Sequence, residues 1–321
     1  MRYFFLLLIL PLNICFSQQY ESIDQQVRNY PDFIDNLNDL SIRISNDFNT
    51  DEEKVRAIFV WITENIKYDM SDYKVLIVPR TIGYWSDYDL ERTLRKREQQ
   101  KIDSAIRTKR AKCYGYSLLF AKLCQKLNIE AGVIKGYAKT DTRDIGRNRP
   151  YKNHVWNAVK INGDWKLIDT TWGADHENIT SKIFVKHFSD YYFFPNPKEF
   201  ISHHFPESTK WQLLEKPLTK RQFFAEPIFY PTYYKLNIRL SAIHNGILTA
   251  SKKRMNIFFE ELPNRHTLYY AFEFDNEIYK AGVKKLKKGY MVTVRLRDTN
   301  SSYLTLFNNQ NAIINFKVDQ K

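Results

Sequence analysis

Cys113, His154 and Asp169 carry the three side chains that nucleophilic acyl transfer requires. In that chemistry a thiolate attacks a carbonyl carbon, an imidazole carries the proton, and a carboxylate orients the imidazole. Cys113 is predicted to begin a helix, where the partial positive charge of the helix N-terminus stabilises a thiolate. Its backbone N–H could also donate to a developing oxyanion. The alternative is a buried structural cysteine, the commonest role of this residue type.

His154 and Asp169 lie on two predicted strands that Asn162-Gly163, a strong two-residue hairpin signal, would join. With that turn, His154 faces Thr171 across the hairpin. Because side chains alternate between the faces of a strand, Asp169 shares a face with His154 as a diagonal neighbour. Their Cα atoms would then be about 7 Å apart, within reach of a histidine–carboxylate hydrogen bond. The alternative is a chance pairing, and nothing in this pattern places Cys113 beside His154.

Helices and strands must position these side chains. Thr50 and Glu53 have the spacing of a capping box. The apolar residues that follow recur on one helical face, at Val55, Ile58, Phe59, Ile62 and Ile66. A second helix is predicted over residues 113–127. Three strand-like runs come next, at residues 131–139, 154–161 and 164–172.

The composition changes after about residue 216, where three prolines mark a connecting segment. Beyond it, short apolar runs alternate with turn signals, which predicts a small all-β sandwich of the Ig-like kind. Residues 228–321 contain 15 Lys or Arg and 7 Asp or Glu, so this part is basic. We predict a signal peptide, an N-terminal domain, a linker and a β-sandwich domain, at residues 1–17, 18–216, 217–232 and 233–321.

The first 17 residues are predicted to be a signal peptide. Arg2 gives a short positive start, residues 3–15 form an apolar run, and Cys15 and Ser17 supply small residues for cleavage near Ser17. The run, at about 13 residues, is shorter than the roughly 20 that span a bilayer. The alternatives are an uncleaved anchor, or a lipid on Cys15, which the large Ile14 disfavours. No later segment approaches transmembrane length, so we expect a secreted, periplasmic or cell-surface protein.

The formal net charge of the chain is +13. A basic surface favours acidic glycans, anionic lipid or nucleic acid, and export makes nucleic acid a poor candidate. We therefore expect an acidic cell-surface polymer as a candidate partner of the basic β-domain. The alternative is a basic surface that only keeps the protein in solution.

Of the three cysteines, Cys15 leaves with the predicted signal peptide. Cys113 and Cys124 lie on one predicted helix, so about 16 Å separates them, whereas a disulfide needs Cα atoms within about 7 Å. Cys113 is therefore expected to keep its thiol. His203 and His204 have no Cys, His or acidic neighbours at metal-ligand spacing, so we expect neither a metal nor a cofactor.

Three strings in this sequence match a known family pattern. The string AKCYGYSLLFAKLC contains Cys-x-Gly-Tyr, NHVWNAVKINGDWKLIDTTWG contains His-x-Trp-Asn and Asp-x-Thr-Trp, and VWITENIKYD precedes both. In this order they resemble the transglutaminase-like superfamily. The later run YYFFPNPKEFISHHFPESTKWQLL resembles the kyphoscoliosis peptidase subgroup. Tyr114 stands where an acidic residue is frequent and Thr170 where proline is frequent, which makes the substrate preference harder to infer.

The resemblance implies a papain-like α+β fold, in which a helix presents Cys113 to an antiparallel sheet bearing His154 and Asp169. These residues would be the nucleophile, the base and the orienting group. The implied activity is acyl transfer on protein or peptide amide bonds through a thioester, with hydrolysis favoured. The alternatives are a transamidase, a weakly active or inactive binding protein, and a structural module with Cys113 in its core. Candidate pocket residues are Tyr68, Trp85 and Tyr114.

Overall fold

The computed structural model describes residues 13–319 except 32–33, 35, 72–85, 179–182, 252, 264–266, 274, 276 and 297–301. Residues 1–12 of the predicted signal peptide and the candidate pocket residue Trp85 lie outside the described residues. Helix α1 begins at Asn13 and runs through Ser17. No helix in the described part of the chain is both long and apolar enough to cross a membrane.

Helices predominate in the first part of the chain and strands in the last, which makes the fold class α+β. The helices are α1 (Asn13–Arg28), α2 (Leu37–Asp47), α3 (Asp51–Asn65), α4 (Asp87–Thr108), α5 (Cys113–Lys126), α6 (Thr170–Ala174), α7 (Pro197–Phe200), α8 (Lys220–Ala225) and α9 (Pro231–Lys235). The strands before residue 230 are β1 (Lys67–Tyr68), β2 (Arg110–Ala111), β3 (Ala131–Ala138), β4 (His154–Ile161), β5 (Asp164–Ile168), β6 (Asp175–Asn178), β7 (Ile183–Lys186), β8 (His204–Pro206) and β9 (Ile228–Phe229). The later strands are β10 (Arg239–Leu240), β11 (Ile247–Thr249), β12 (Arg254–Glu261), β13 (Leu268–Phe272), β14 (Tyr279–Lys280), β15 (Gly282–Lys285), β16 (Tyr290–Arg295), β17 (Tyr303–Asn308) and β18 (Asn311–Asp319).

The chain divides into two compact units. The first unit contains Met1–Val133 and Val155–Phe194, and the second contains Ile134–His154 and Pro195–Lys321. The predicted domain limits describe which parts of the chain fold separately. The division into compact units is a different property. Those limits stay predictions.

Helix α3 is the centre of the first unit. The Oγ1 atom of Thr50 accepts from the Glu53 N–H at 3.2 Å, and the Glu53 carboxylate accepts from the Thr50 N–H at 2.9 Å, which confirms the predicted capping box. The sequence predicted one apolar face, but every residue from 55 to 63 is buried. Helices α1, α2, α5 and α6 all contact α3. A helix enclosed on all sides leaves no room for a polar face.

The buried surface of α3 nevertheless includes the charged residue Arg56, which is 2% exposed. Its guanidinium donates two hydrogen bonds of 2.7 Å to the carboxylate of Asp24 in α1 and forms an ion pair with Asp190. Removing one partner of such a buried pair costs about 3–5 kcal/mol, because it leaves a buried charge uncompensated. The contact therefore fixes α1 against α3.

The hairpin of β4 and β5 has the register that the sequence predicts. Ile161 pairs with Asp164, and the ladder continues to Asn157 opposite Ile168. Asn162 and Gly163 both have positive φ, at 51° and 89°, as a two-residue hairpin turn requires. The strand predicted over residues 164–172 was too long: β5 ends at Ile168, and α6 begins two residues later.

Two sheets form the strand-rich part of the second unit. One has the strand order β10-β12-β16-β15, and the other has the order β11-β18-β17-β13-β14, with β9 also pairing with β18. Buried residues alternate with exposed ones along most of β12 and with half-buried ones along β13, and a single cluster of buried residues contains members of both sheets. Two sheets that share one core have sandwich architecture. The Ig-like assignment stays a prediction.

Candidate active site

Cys113 is the first residue of α5 and is half-buried. Lys112, the residue before the helix, has an extended backbone and makes no side-chain cap. The hydroxyl of Tyr116 donates to the Ile66 carbonyl at 2.6 Å, which fixes the first turn against the end of α3. Gly115 allows this turn to approach β2, because a Cβ there would lie 2.9 Å from the Ala111 Cβ. The predicted position of the cysteine at a helix start is confirmed.

The two cysteines of α5 differ in their chemistry. Cys124 is fully buried, and burial raises the pKa of its thiol. A buried, protonated thiol is a poor nucleophile. Cys113 instead lies at the positive end of the helix, and the first turn of α5 contains no acidic residue to offset that charge. The two thiols do not form a disulfide, as the helical spacing predicted.

Helix α5 is held against the β4–β5 hairpin within the first unit. The Asn157 side chain in β4 is fully buried, and its Nδ2 donates to the carbonyl oxygens of Ser117 at 3.0 Å and Gly132 at 3.1 Å. A single amide therefore links the hairpin to the second turn of α5 and to the start of β3. The helix that carries Cys113 packs on this antiparallel hairpin.

Asp169 directly follows β5 and is fully buried. Its Oδ1 atom accepts from the backbone N–H groups of Thr171 at 2.8 Å and Trp172 at 3.1 Å. These are N–H groups of the first turn of α6, which have no partner within a helix. Asp169 therefore ends the strand and starts the helix, which is the physical reason that β5 stops early. The same bonds hold its carboxylate in one orientation.

His154 is the first residue of β4 and is 5% exposed. Asn153, just before it, is clamped to β3 in the second unit. The Asn153 Oδ1 accepts from the Ala138 N–H at 2.8 Å, and its Nδ2 donates to the Ala138 carbonyl at 2.9 Å. The Asn153 backbone N–H also donates to the Gly136 carbonyl at 3.1 Å. These three bonds fix the backbone at the point where His154 begins its strand.

His204 lies next to His154 in the second unit, which the sequence did not predict. The two ring centroids are 5.1 Å apart with an interplanar angle of 54°. His204 belongs to β8, opposite Ala138 of β3, and is fully buried. The sequence around His203 and His204 gave reason only to test them as metal ligands. No local spacing links them to His154, because β8 reaches β3 through a long connection.

The neighbours of His204 fix its ring. Its Nδ1 atom lies 2.8 Å from the Nδ1 atom of His203, which is hydrogen-bond distance. The Phe200 ring stacks on the His204 ring at 4.0 Å with an interplanar angle of 12°. His204 is thus held by a hydrogen bond on its edge and an aromatic ring on its face. A ring held in this way presents a fixed surface to His154.

Tyr114 and Tyr68 are half-buried. The Tyr114 hydroxyl donates to the Glu98 carboxylate of α4, and burial together with this bond raises the pKa of Tyr114.

Cys113 and Asp169 belong to the first unit and His154 to the second. Their assembly into one triad stays a prediction.

Comparison with known proteins finds a family model that matches part of this chain. Residues 38–170 match the family described as the Transglutaminase-like superfamily. The chain therefore contains a transglutaminase-like domain, as the Cys-x-Gly-Tyr and His-x-Trp-Asn motifs predicted. All three residues of the predicted triad lie within the matched segment.

The curated relatives agree with the kyphoscoliosis peptidase subgroup, which the run YYFFPNPKEFISHHFPESTKWQLL predicted. Kyphoscoliosis peptidase of Mus musculus is 31% identical over 188 residues, which cover 58% of this chain and 26% of that protein. The Homo sapiens protein of the same name is 32% identical over 189 residues, with the same coverage. Hillarin of Drosophila melanogaster is 29% identical over 209 residues, covering 60% of this chain and 22% of that one. The chain thus spans about a quarter of the length of these relatives.

The solved structures that match this chain are more distant. The crystal structure of a TGase has a TM-score of 0.29 and 14% identity, covering 54% of this chain and 37% of that chain. Red sea bream transglutaminase has a TM-score of 0.27 and 12% identity, covering 94% of this chain and 58% of that chain.

Proposed function

We propose that this protein is a cysteine-dependent acyl-transfer enzyme that acts on amide bonds of proteins or peptides. Cys113 is its nucleophile, His154 its general base and acid, and Asp169 the group that orients His154. The observation that carries the proposal is the half-buried Cys113 at the N-terminus of α5, inside the segment that matches the transglutaminase-like family. Export through residues 1–17 is part of the same proposal.

The proposed reaction has two halves. The Cys113 thiolate attacks the carbonyl carbon, and the backbone N–H of Cys113 donates to the resulting oxyanion. His154 protonates the departing amine, and the carbon–nitrogen bond breaks to leave a thioester on Cys113. Water, deprotonated by His154, then attacks the thioester and releases the acid and the thiolate. Asp169 keeps the imidazole in the tautomer that both steps need.

Hydrolysis is the favoured outcome because the named relatives in the matched subgroup are peptidases. An amine in place of water would give transamidation from the same thioester. The fixed carboxylate of Asp169 and the fixed backbone at His154 support a catalytic role over a purely structural one, since catalytic groups need positions held by their surroundings. A binding protein with little turnover is the second candidate.

Alkylation of Cys113 by iodoacetamide tests the nucleophile. The chain without residues 1–17 is treated at pH 6, and the modified peptide is quantified by mass spectrometry. We expect Cys113 to react about tenfold faster than a model thiol, because only the thiolate reacts and the helix N-terminus with His154 stabilises it. His154→Ala should lower the rate to that of the model thiol.

Cys124 serves as the internal control, since it is buried on the same helix.

The same preparations are then incubated with denatured casein, with and without a primary amine. Peptide release without the amine would show hydrolysis, and amine incorporation would show transamidation. Slow alkylation of Cys113 that His154→Ala leaves unchanged would contradict the catalytic proposal.

A further inference from the structure

The sheet β10-β12-β16-β15 has one side in the core and one side open to solvent. The core side carries Met255, Ile257 and Phe259 of β12, which are at most 2% exposed. Because side chains alternate along a strand, the intervening residues lie on the outer side. We call this outer side the basic face, defined by Arg254, Asn256, Gly282, Lys284, Thr293 and Arg295.

Arg254 and Arg295 are direct partners across β12 and β16. Residues in such a pair point to the same side of a sheet, with Cα atoms about 4.5–5.5 Å apart. Both side chains are exposed, and neither forms an ion pair with any residue that the structure describes. Like charges directly opposite each other destabilise a sheet. An anion between the two guanidinium groups would remove that repulsion.

Arg239 shows the opposite arrangement in the same sheet. Its guanidinium contacts the carboxylates of Glu260 and Glu261, which neutralise it. The sheet therefore places acidic partners at its β10 edge but leaves the Arg254–Arg295 pair without them in the described residues. The positive charge of the basic face is local and not a general property of the sheet.

The middle of the basic face is polar and carries only short side chains. The Thr293 hydroxyl donates to the Asn256 amide oxygen at 3.0 Å, which confirms that both side chains point outward. Gly282, which pairs with Thr293 on the other side, adds no side chain. Two residues further on, exposed Lys284 lies opposite Met291. Arg295 lies four residues further along β16 than Met291, which is about 14 Å along the strand.

We propose that the basic face binds a linear acidic polysaccharide. Carboxylates at intervals along the chain would pair with the two arginines at one end and with Lys284 at the other. Arginine suits this role, because its planar guanidinium can hold a carboxylate through two hydrogen bonds. Sugar hydroxyls between the carboxylates would meet Thr293 and Asn256. Single-stranded nucleic acid fits less well, because it also needs exposed aromatic rings for stacking, and the Phe258 ring on this side of β12 stacks on His244.

Binding of sodium polygalacturonate to the full protein tests the proposal by titration calorimetry at several salt concentrations. We expect affinity to fall as salt rises, because pairing of charges releases counterions. R254Q/R295Q should raise Kd about tenfold, which corresponds to about 1.4 kcal/mol. The matched control K96Q/R97Q removes the same charge from exposed residues of α4 and should leave Kd within about twofold.

Three outcomes would overturn the proposal. They are the absence of binding by the wild-type chain, an equal loss in both double variants, and tighter binding to a single-stranded DNA oligomer with the same dependence on Arg254 and Arg295. Melting temperature verifies that R254Q/R295Q folds, and removal of the repulsion should leave it equal or higher. The measurement does not involve Cys113, so it is independent of the proposed catalytic activity.

Discussion

At the scale of single residues, the candidate site depends on how firmly each side chain is held. Asp169 is fixed by the N–H groups of α6, and His154 follows a backbone that Asn153 clamps to β3. Cys113 has a different requirement, which is partial access to solvent and a positive helix terminus. Burial holds a carboxylate or an imidazole in place, but it makes a thiol a poor nucleophile. For Cys124, burial raises the pKa of the thiol.

His204 is predicted to position His154, on the basis of the proposed function. His204→Ala removes the ring that packs against His154 and should slow alkylation of Cys113, and any peptide hydrolysis, by about tenfold, because small misplacements of a catalytic group lower the rate steeply. His204→Asn keeps a polar atom near the position of Nδ1 and should restore part of the rate.

His244→Ala is the matched control, since that histidine stacks on Phe258 in the strand-rich part. Cys113 of this variant should be alkylated at the wild-type rate. If His204→Ala folds normally, as judged by its melting temperature, and Cys113 still reacts at the wild-type rate, then His204 has no positioning role.

At the scale of elements, a buried lysine joins the end of β3 to α8 and to the segment after α8. Lys139 is 2% exposed, and its Nζ donates to the carbonyls of Phe223, Glu226 and Pro227 at 2.9–3.1 Å. Burial lowers the pKa of Lys139 from its ordinary 10.5 to about 7. The buried ammonium is thus disfavoured in the fold, even though three carbonyls accept from it.

Stability should therefore rise with pH. Between about pH 7 and 10.5 the unfolded chain keeps a proton on Lys139 that the folded chain has released. The free energy of unfolding of the wild type, relative to Lys139→Met, should increase across this window by up to about 1.4 kcal/mol per pH unit. Below pH 7 the difference should be constant.

Urea unfolding at pH 6, 7, 8 and 9 measures this difference. Lys126→Met, a change at an exposed position on the last turn of α5, controls for the loss of one positive charge. A difference between wild type and Lys139→Met that does not vary with pH would mean that the three carbonyls keep the ammonium charged throughout.

At the scale of the whole molecule, export is a proposal that the N-terminal sequence supports. We expect the full chain, expressed in a secreting bacterial host, to appear outside the cytoplasm with Gln18 as its first residue. Intact-mass measurement of the exported protein identifies that end. Leu7→Arg interrupts the apolar run and should block export. Recovery of the exported protein with Met1 still attached would contradict cleavage at Ser17.

Several features were predictable because their causes are local. The capping box of α3, the start of α5 at Cys113 and the register of β4 with β5 each depend on residues only a few positions apart. Asn162-Gly163 fixes the register of the whole hairpin, because both residues accept positive φ. The motifs that identified the transglutaminase-like domain lie on these same elements.

The tertiary structure decided the features that depend on distant parts of the chain. Enclosure of α3 on all sides, the bond between Arg56 and Asp24, and the approach of His204 to His154 all join residues far apart in sequence. Periodicity shows which side of an element is apolar, but not what covers its other side. By itself, then, the sequence determined the capping box of α3, the start of α5, the register of the hairpin and the chemical types of the candidate residues. Only packing decided which neighbours hold those residues, because a long-range contact must offset the entropy of closing the loop between its ends.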